Sequence, residues 1–209
     1  MTLKLESAIV AGCSTPVTPA RVAIDRLPTL PGLAERWGRH VFHCPYCHGY
    51  ELNQGQIGVL ASAPMSMHHA LLLPDWGPTT FFLNGAFTPD AQQLAQLDAR
   101  GVLVEPGLID RIEGDADLVM NDGRVMQLAG LFTLTGMEVA SPIAASLGCE
   151  MEDGPLGRTI KTDLMKQTTV AKVYACGDSA RPGGSLAFAV ADGTLAGVAA
   201  HQSLIFGGH

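Results

Sequence analysis

The sequence predicts an α/β protein, and three observations carry that expectation. Short apolar runs that read as buried strands, at residues 56–61 and 79–83, alternate with helical blocks at 65–73 and 89–100. Turn signals separate them: Pro74, Asn84-Gly85, Gly101 and Asn121-Asp122-Gly123-Arg124. Of the 209 residues 47% are apolar and only 16% charged, which is ample surface for a buried core and excludes a disordered chain. Strand, helix, strand, helix, strand and then a hairpin is the order of a small nucleotide-binding domain.

Each element has a local reason. The run at 56–61 is bounded and apolar, as a parallel strand buried on both faces is. The block at 65–73 ends where Pro74 removes a donor. Thr88 or Asp90 can cap the helix at 89–100, and Gly101 stops it. Residues 102–104 make a third strand, and 110–113 and 116–120 flank a turn. A second unit is expected from Gly130, with strands at 131–134, 159–162 and 173–176 and a short helix at 142–147. The longest helix, 185–206, carries Ala187, Ala191, Ala196, Ala199 and Ala200, which permit close packing. Residues 1–37 read as irregular, punctuated by Pro16, Pro19, Pro28 and Pro31, with a helix-like block at 33–37. The expected organisation is an irregular segment at 1–40, an α/β module at 41–129 and a C-terminal part at 130–209.

Thirteen basic against twenty acidic residues give a net charge of −7, which excludes a binder of nucleic-acid backbones. No stretch reaches the roughly 18–20 apolar residues of a membrane span. Val10-Ala11-Gly12-Cys13 has the look of a lipoprotein cleavage box. The apolar run before it, residues 8–12, is shorter than the roughly 7–15 residues of a signal core, and Glu6 lies where that core belongs. Five cysteines, an odd number, do not make a disulfide framework. The expectation is a cytoplasmic protein in which a close cysteine pair serves redox chemistry or a metal.

That pair stands in His43-Cys44-Pro45-Tyr46-Cys47-His48-Gly49-Tyr50-Glu51. A two-residue spacer at a helix start puts both sulfurs on one face, close enough to join. The helix start and a neighbouring histidine favour the thiolate, which is the reacting species. Pro45 suits a first helical turn, and His48 can take or give a proton near neutral pH. Three rivals use the same residues: a c-type haem attachment, a zinc ion on His43, Cys44, Cys47 and His48, or two inert buried thiols. Haem attachment needs export, and zinc lacks a second Cys-x-x-Cys, so the redox pair is the reading preferred and no metal is expected.

Val173-Tyr174-Ala175-Cys176-Gly177-Asp178 reads as a strand ending in a glycine turn with a carboxylate. An aspartate there can accept hydrogen bonds from sugar-like hydroxyls, and the helix after Pro182-Gly183-Gly184 points free amides at an electron-rich ring edge. Taken alone, a plain turn explains it as well. His68-His69 read as a packed or solvated pair, Cys149 and Cys176 as buried small residues, and Trp37 and Trp76 as packing anchors.

Together the two motifs resemble the thioredoxin-reductase family of flavin-dependent disulfide oxidoreductases, from about Leu27 to Phe206. The string Cys44 to Glu51 is similar to the branch that includes dithiol oxidases of the gliotoxin and holomycin type. The resemblance implies a Rossmann-like central domain of the pyridine nucleotide-disulfide oxidoreductase type, plus the remnant of a split FAD domain. It implies that Gly177 and Asp178 hold the ribityl side of FAD and that Leu186, Ala187 and Phe188 approach the ring. It further implies that Cys47 faces the flavin, that Cys44 exchanges with substrate, and that His48 stands where relatives carry an acidic residue. A small dithiol or disulfide, or a thioredoxin-like protein, is the implied partner, in a homodimer.

Two departures qualify that expectation. The loop Ala61-Ser62-Ala63-Pro64-Met65-Ser66 has no glycine where a pyrophosphate needs close backbone, and no arginines follow the second strand for a 2′-phosphate. NADPH binding is therefore not expected. No Gly-x-Gly-x-x-Gly loop precedes Pro28, and Val22-Ala23-Ile24-Asp25 replaces the family's Ala-Thr-Gly stretch, so FAD is expected to bind weakly or not at all unless another chain completes its site. The alternative to an enzyme is a flavin-free α/β module that self-associates or binds a partner.

Overall fold

Two strands, β1 (Ala8–Gly12) and β2 (Ala23–Arg26), form within the stretch that reads as irregular from sequence. The structure is a computed structural model that describes residues 8–12 and 23–206. Cys13, Pro16, Pro19 and Val22, singled out above, lie outside the described residues. The chain divides into two compact units, Leu27–Thr135 and Met1–Arg26 with Gly136–His209.

The unit Leu27–Thr135 is built on a five-stranded parallel sheet. Its elements begin with β3 (Val41–Phe42), the one-turn helix α1 (Pro45–His48), β4 (Ile57–Leu60), α2 (Met67–Leu72) and β5 (Thr79–Phe82). They continue with α3 (Ala91–Ala99), β6 (Leu103–Glu105), the meander β7 (Ile109–Glu113), β8 (Asp117–Met120) and β9 (Val125–Met126), and β10 (Gly130–Thr133). The sheet order is β3-β10-β4-β5-β6. Sequence places the strand after Gly130 in a second unit; the structure puts β10 between β3 and β4, so this unit runs on to Thr135. Gly58 lets that happen, because a Cβ there would sit 2.5 Å from the Leu128 side chain and 2.8 Å from that of Leu131.

Alternation along the strands divides the core in two. Phe42, Ile57, Val59, Phe81 and Phe132 face one way and pack with Met67, Ala70, Leu73 and Leu97 of the helical side. Val41, Leu60, Phe82 and Leu131 face the other way and are covered by Ile109, Ile112, Leu118 and Met120 of the meander. Burial on both faces is why these strands read as unbroken apolar runs. The expected turns hold the frame. Asn84 and Gly85 take the left-handed conformation (φ 43° and 71°), and Gly101 ends α3 at φ 69°. Asp90 Oδ1 accepts the Gln93 amide at 2.8 Å while Gln93 Oε1 accepts the Asp90 amide at 2.9 Å, a reciprocal cap.

The other unit holds β11 (Gly136–Val139), α4 (Ile143–Ser146), β12 (Met151–Gly154), β13 (Gly157–Ile160), β14 (Val173–Gly177) and α5 (Leu186–Phe206). One sheet has the order β12-β13-β11-β2, and β14 pairs in parallel with β1. Along β14, Val173 and Ala175 pack with Ala144, Cys149 and Ile160, whereas Tyr174 and Cys176 pack on Ala196, Ala199 and Ala200 of α5. The small residues of α5 thus do bring it close to a strand.

Candidate functional site

Cys44 lies at the start of α1 in an extended conformation (φ −110°, ψ 111°), and Pro45 opens the helix. The Cys47 amide donates to the Cys44 carbonyl at 3.2 Å. One turn brings the sulfurs to 2.8 Å, with the Cys47 thiol donating to Cys44 Sγ. Both are free thiols, within a short closure of the roughly 2.05 Å of a disulfide bond. A helix of one turn supplies little dipole, so the coupling between the sulfurs dominates. The Cys47 thiol is pushed up to about 11, first by its bond to Cys44, then by burial and by charge on Cys44. Cys47 therefore holds its proton more tightly than an ordinary thiol.

His48 closes the turn. Its ring stacks on Phe42 at 4.3 Å and 18°, and its Nδ1 lies 3.5 Å from Glu51 Oε2. This places a titratable ring one residue from Cys47 with a carboxylate behind it. His43, just before Cys44, stacks on Trp37 at 6.1 Å. Of the histidine pair, His68 is exposed and His69 is buried, at 6% exposure. The His69 ring is held neutral down to about 4, by burial first and by His68 second, while the backbone of His43 works the other way. Its Nδ1 has no hydrogen-bond partner among the described residues. Sequence spacing does not reveal this ring behind the thiol segment.

The loop after β4 is closed on itself. Ser66, fully buried, accepts the Ser62 amide at 3.0 Å and the Ala63 amide at 3.4 Å through Oγ, and Ser62 Oγ donates to the Leu134 carbonyl at 3.0 Å. Pro64 lacks an amide, and the amides of Ser62, Ala63 and Ser66 are taken up within the loop. After β5, Asn84 Oδ1 accepts the Ile109 amide at 2.8 Å.

Gly177 and Asp178 end β14 in the other unit. Gly177 is left-handed at φ 68°, and Asp178 is half-buried. A Cβ at Gly184 would lie 2.4 Å from Asp178 Oδ1, so a side chain there would displace the carboxylate. Leu186, Ala187 and Phe188 form the exposed first turn of α5, and Ser185 Oγ accepts the Phe188 amide at 3.2 Å. Sequence misses the charge cluster that pins this helix. Asp192 is 4% exposed and accepts two bonds from Arg181, at 3.1 and 3.2 Å, with Lys166 Nζ at 3.1 Å. The Arg181 guanidinium lies 4.6 Å over the Phe188 ring. These two cations hold the Asp192 carboxyl below the ordinary range, Arg181 most strongly.

Cys149 and Cys176 are buried, at 7% and 2% exposure. Among the described residues no group of three or more His, Cys, Asp or Glu is placed to hold a metal ion, and no helix is long and apolar enough to cross a membrane.

Comparison with known proteins places the chain in a family. The family model for pyridine nucleotide-disulphide oxidoreductases matches residues 82–195. Thioredoxin reductase sirT of Leptosphaeria maculans is 29% identical over 192 residues, 83% of this chain and 58% of that protein. The crystal structure of an oxidoreductase from Agrobacterium tumefaciens is 55% identical, with a TM-score of 0.88 over 96% of this chain and 65% of that one. The structure of HlmI is 30% identical, with a TM-score of 0.81 over 95% of this chain and 60% of that one. The chain thus spans about three fifths of the length of the relatives it matches.

Proposed function

The chain belongs to the thioredoxin reductase-like pyridine nucleotide-disulphide oxidoreductases, and on that premise we propose that it carries out flavin-linked thiol–disulfide exchange through Cys44 and Cys47. The 2.8 Å contact between the sulfurs, with the proton kept on Cys47, carries the reading. Cys44 attacks one sulfur of a disulfide, and the substrate's other sulfur leaves as a thiolate. Cys47 then attacks Cys44 Sγ, the bond from Cys44 to the substrate breaks, the substrate's remaining sulfur leaves as a second thiolate, and the intramolecular disulfide closes. Run in reverse, the closed pair oxidises a dithiol. His48, backed by Glu51, takes or returns the proton.

The residues of the other unit fit the flavin side of FAD. Asp178, under a glycine that leaves the carboxylate room, and Gly177 would hold the ribityl chain, and Leu186, Ala187 and Phe188 would meet the ring. Bound flavin would supply a two-electron acceptor for the thiol pair. The Ser66-closed loop argues against NADPH as the donor, which makes a dithiol the electron source and a small dithiol or a thioredoxin-like protein the partner. Cytoplasmic residence and a homodimer complete the reading.

A visible spectrum before and after added FAD and dithiothreitol tests it: flavin absorbance that dithiothreitol bleaches is expected. Cys44→Ser should end exchange and leave bound flavin in place. A colourless protein that takes up no FAD would instead support the second reading, a flavin-free module. That reading draws on Leu186, Val190 and Phe206 of α5, which are 69%, 61% and 77% exposed, and on light scattering showing a dimer.

A further inference from the structure

The helical run that carries Cys47 also carries two bare aromatic rings. α1 passes through Gly49, itself helical at φ −61° and ψ −41°, into the tighter turn Tyr50–Leu52. Tyr50 stands four residues after Tyr46 and three after Cys47, so helical spacing makes it a neighbour of each. Tyr46 is 74% exposed and Tyr50 88%. Trp76 meets the Tyr46 ring edge to face, 5.4 Å between centroids at 87°. Gly49 admits the indole, since a Cβ there would lie 2.7 Å from Trp76 Cγ.

A cleft of about 330 Å³ opens here, lined by Gly49, Tyr50, Asn53, Gln54, Asp75 and Trp76. Asn53 and Gln54 are successive left-handed residues, at φ 50° and 56°, a conformation that costs a non-glycine residue energy and marks a shaped segment. The lining offers no free charge: its one ionised side chain, Asp75, is paired with Arg100 at 2.7 Å. Two aromatic faces, neutral amides at the rim and a volume of this size suit a flat, uncharged ring.

We propose that this cleft is an aromatic subsite of the thiol pair. It takes an uncharged aromatic group carried beside the sulfur that Cys44 attacks, and the proposal rests on the exchange reading above. It makes Tyr50 and Trp76 selectors among disulfides, a role no part of the exchange chemistry requires of them.

Two reagents with one leaving group test it, methyl and benzyl methanethiosulfonate. In each the Cys44 thiolate attacks the sulfenyl sulfur and forms a mixed disulfide. The bond to the sulfonyl sulfur breaks, methanesulfinate departs with the electron pair, and the thiol proton goes to buffer. Rate constants are read by mass spectrometry on the peptide holding Cys44 and Cys47, and the benzyl-to-methyl ratio is divided by that of N-acetylcysteine. The expected normalised ratio is roughly three- to tenfold above one. It should fall toward one in Tyr50→Ala, recover in Tyr50→Phe, and fall partway in Trp76→Phe. A wild-type ratio of one, or a ratio that Tyr50→Ala leaves unchanged, overturns the subsite while exchange itself stands. A peptide that gains neither label nor an internal Cys44–Cys47 disulfide with either reagent overturns the exchange reading and the subsite with it.

Discussion

Replacing Cys44 with Ala tests which sulfur holds the proton. Cys47 sits at about 11 against 9.0 for an unperturbed thiol, and two of the three causes, the hydrogen bond and the charge, belong to Cys44. Only burial remains in the variant, so Cys47 should titrate below about 11 but still above 9.0. At pH 9 the thiolate fraction would then rise from about one in a hundred toward an upper bound of about one half. Cys47 is exposed, and water screens part of the coupling, so an increase of about tenfold in its thiolate is the working expectation. The assay is the initial rate of iodoacetamide labelling at Cys47, followed by peptide mass from pH 7 to 11. A Cys47 profile that stays near 11 in Cys44→Ala would mean that burial, not Cys44, retains the proton, and the division of labour between the sulfurs would fail.

Three further predictions follow from groups around the sites. His69 is held neutral down to about 4 from an ordinary 6.5, so the unfolded chain binds more protons between those values. Stability should therefore fall as pH drops from about 6.5 to 4, by up to about 3 kcal/mol, and His69→Leu should flatten that slope in urea titrations. Asp192→Asn leaves Lys166 and Arg181 without their shared carboxylate. Losing one partner of a buried pair costs about 3–5 kcal/mol; Arg181 has a side chain 33% exposed and can turn to water, so the low end is expected from urea midpoints followed by circular dichroism. Ser66→Ala strips the acceptor from two part-buried loop amides and should cost about 1 kcal/mol, while NADPH should leave the melting temperature of the wild-type chain unmoved.

The central sheet was legible because its strands are buried on both faces. Ile57, Val59, Phe81 and Phe82 make runs that only a covered parallel sheet explains, and Asp90, Gly101 and Asn84-Gly85 mark the ends by their own chemistry. The thiol pair was legible because a two-residue spacer fixes its geometry. What stayed hidden depends on partners distant in sequence. Ala23–Arg26 is a strand only because Gly136–Val139 lies beside it, and its burial pattern shows no alternation of its own. β10 joins the first sheet through β3 and β4, neither of which its own sequence names. Asp192 is one acidic residue in an apolar helix until Lys166 and Arg181 meet it. The cleft at Gly49 and Tyr50 exists because Trp76, from the turn after α2, reaches Gly49. Tyr46 and Tyr50, four residues apart, were the one trace of it in the sequence.

Equilibration of the purified protein in graded mixtures of reduced and oxidised dithiothreitol, followed by acid quench and mass mapping, asks most directly whether Cys44 and Cys47 form a reversible couple. The account predicts a peptide lighter by two hydrogens that appears and disappears cooperatively with the buffer, with no mixed adduct persisting. Thiols that stay reduced across the whole range, or adducts on single cysteines with no internal bond, would contradict it.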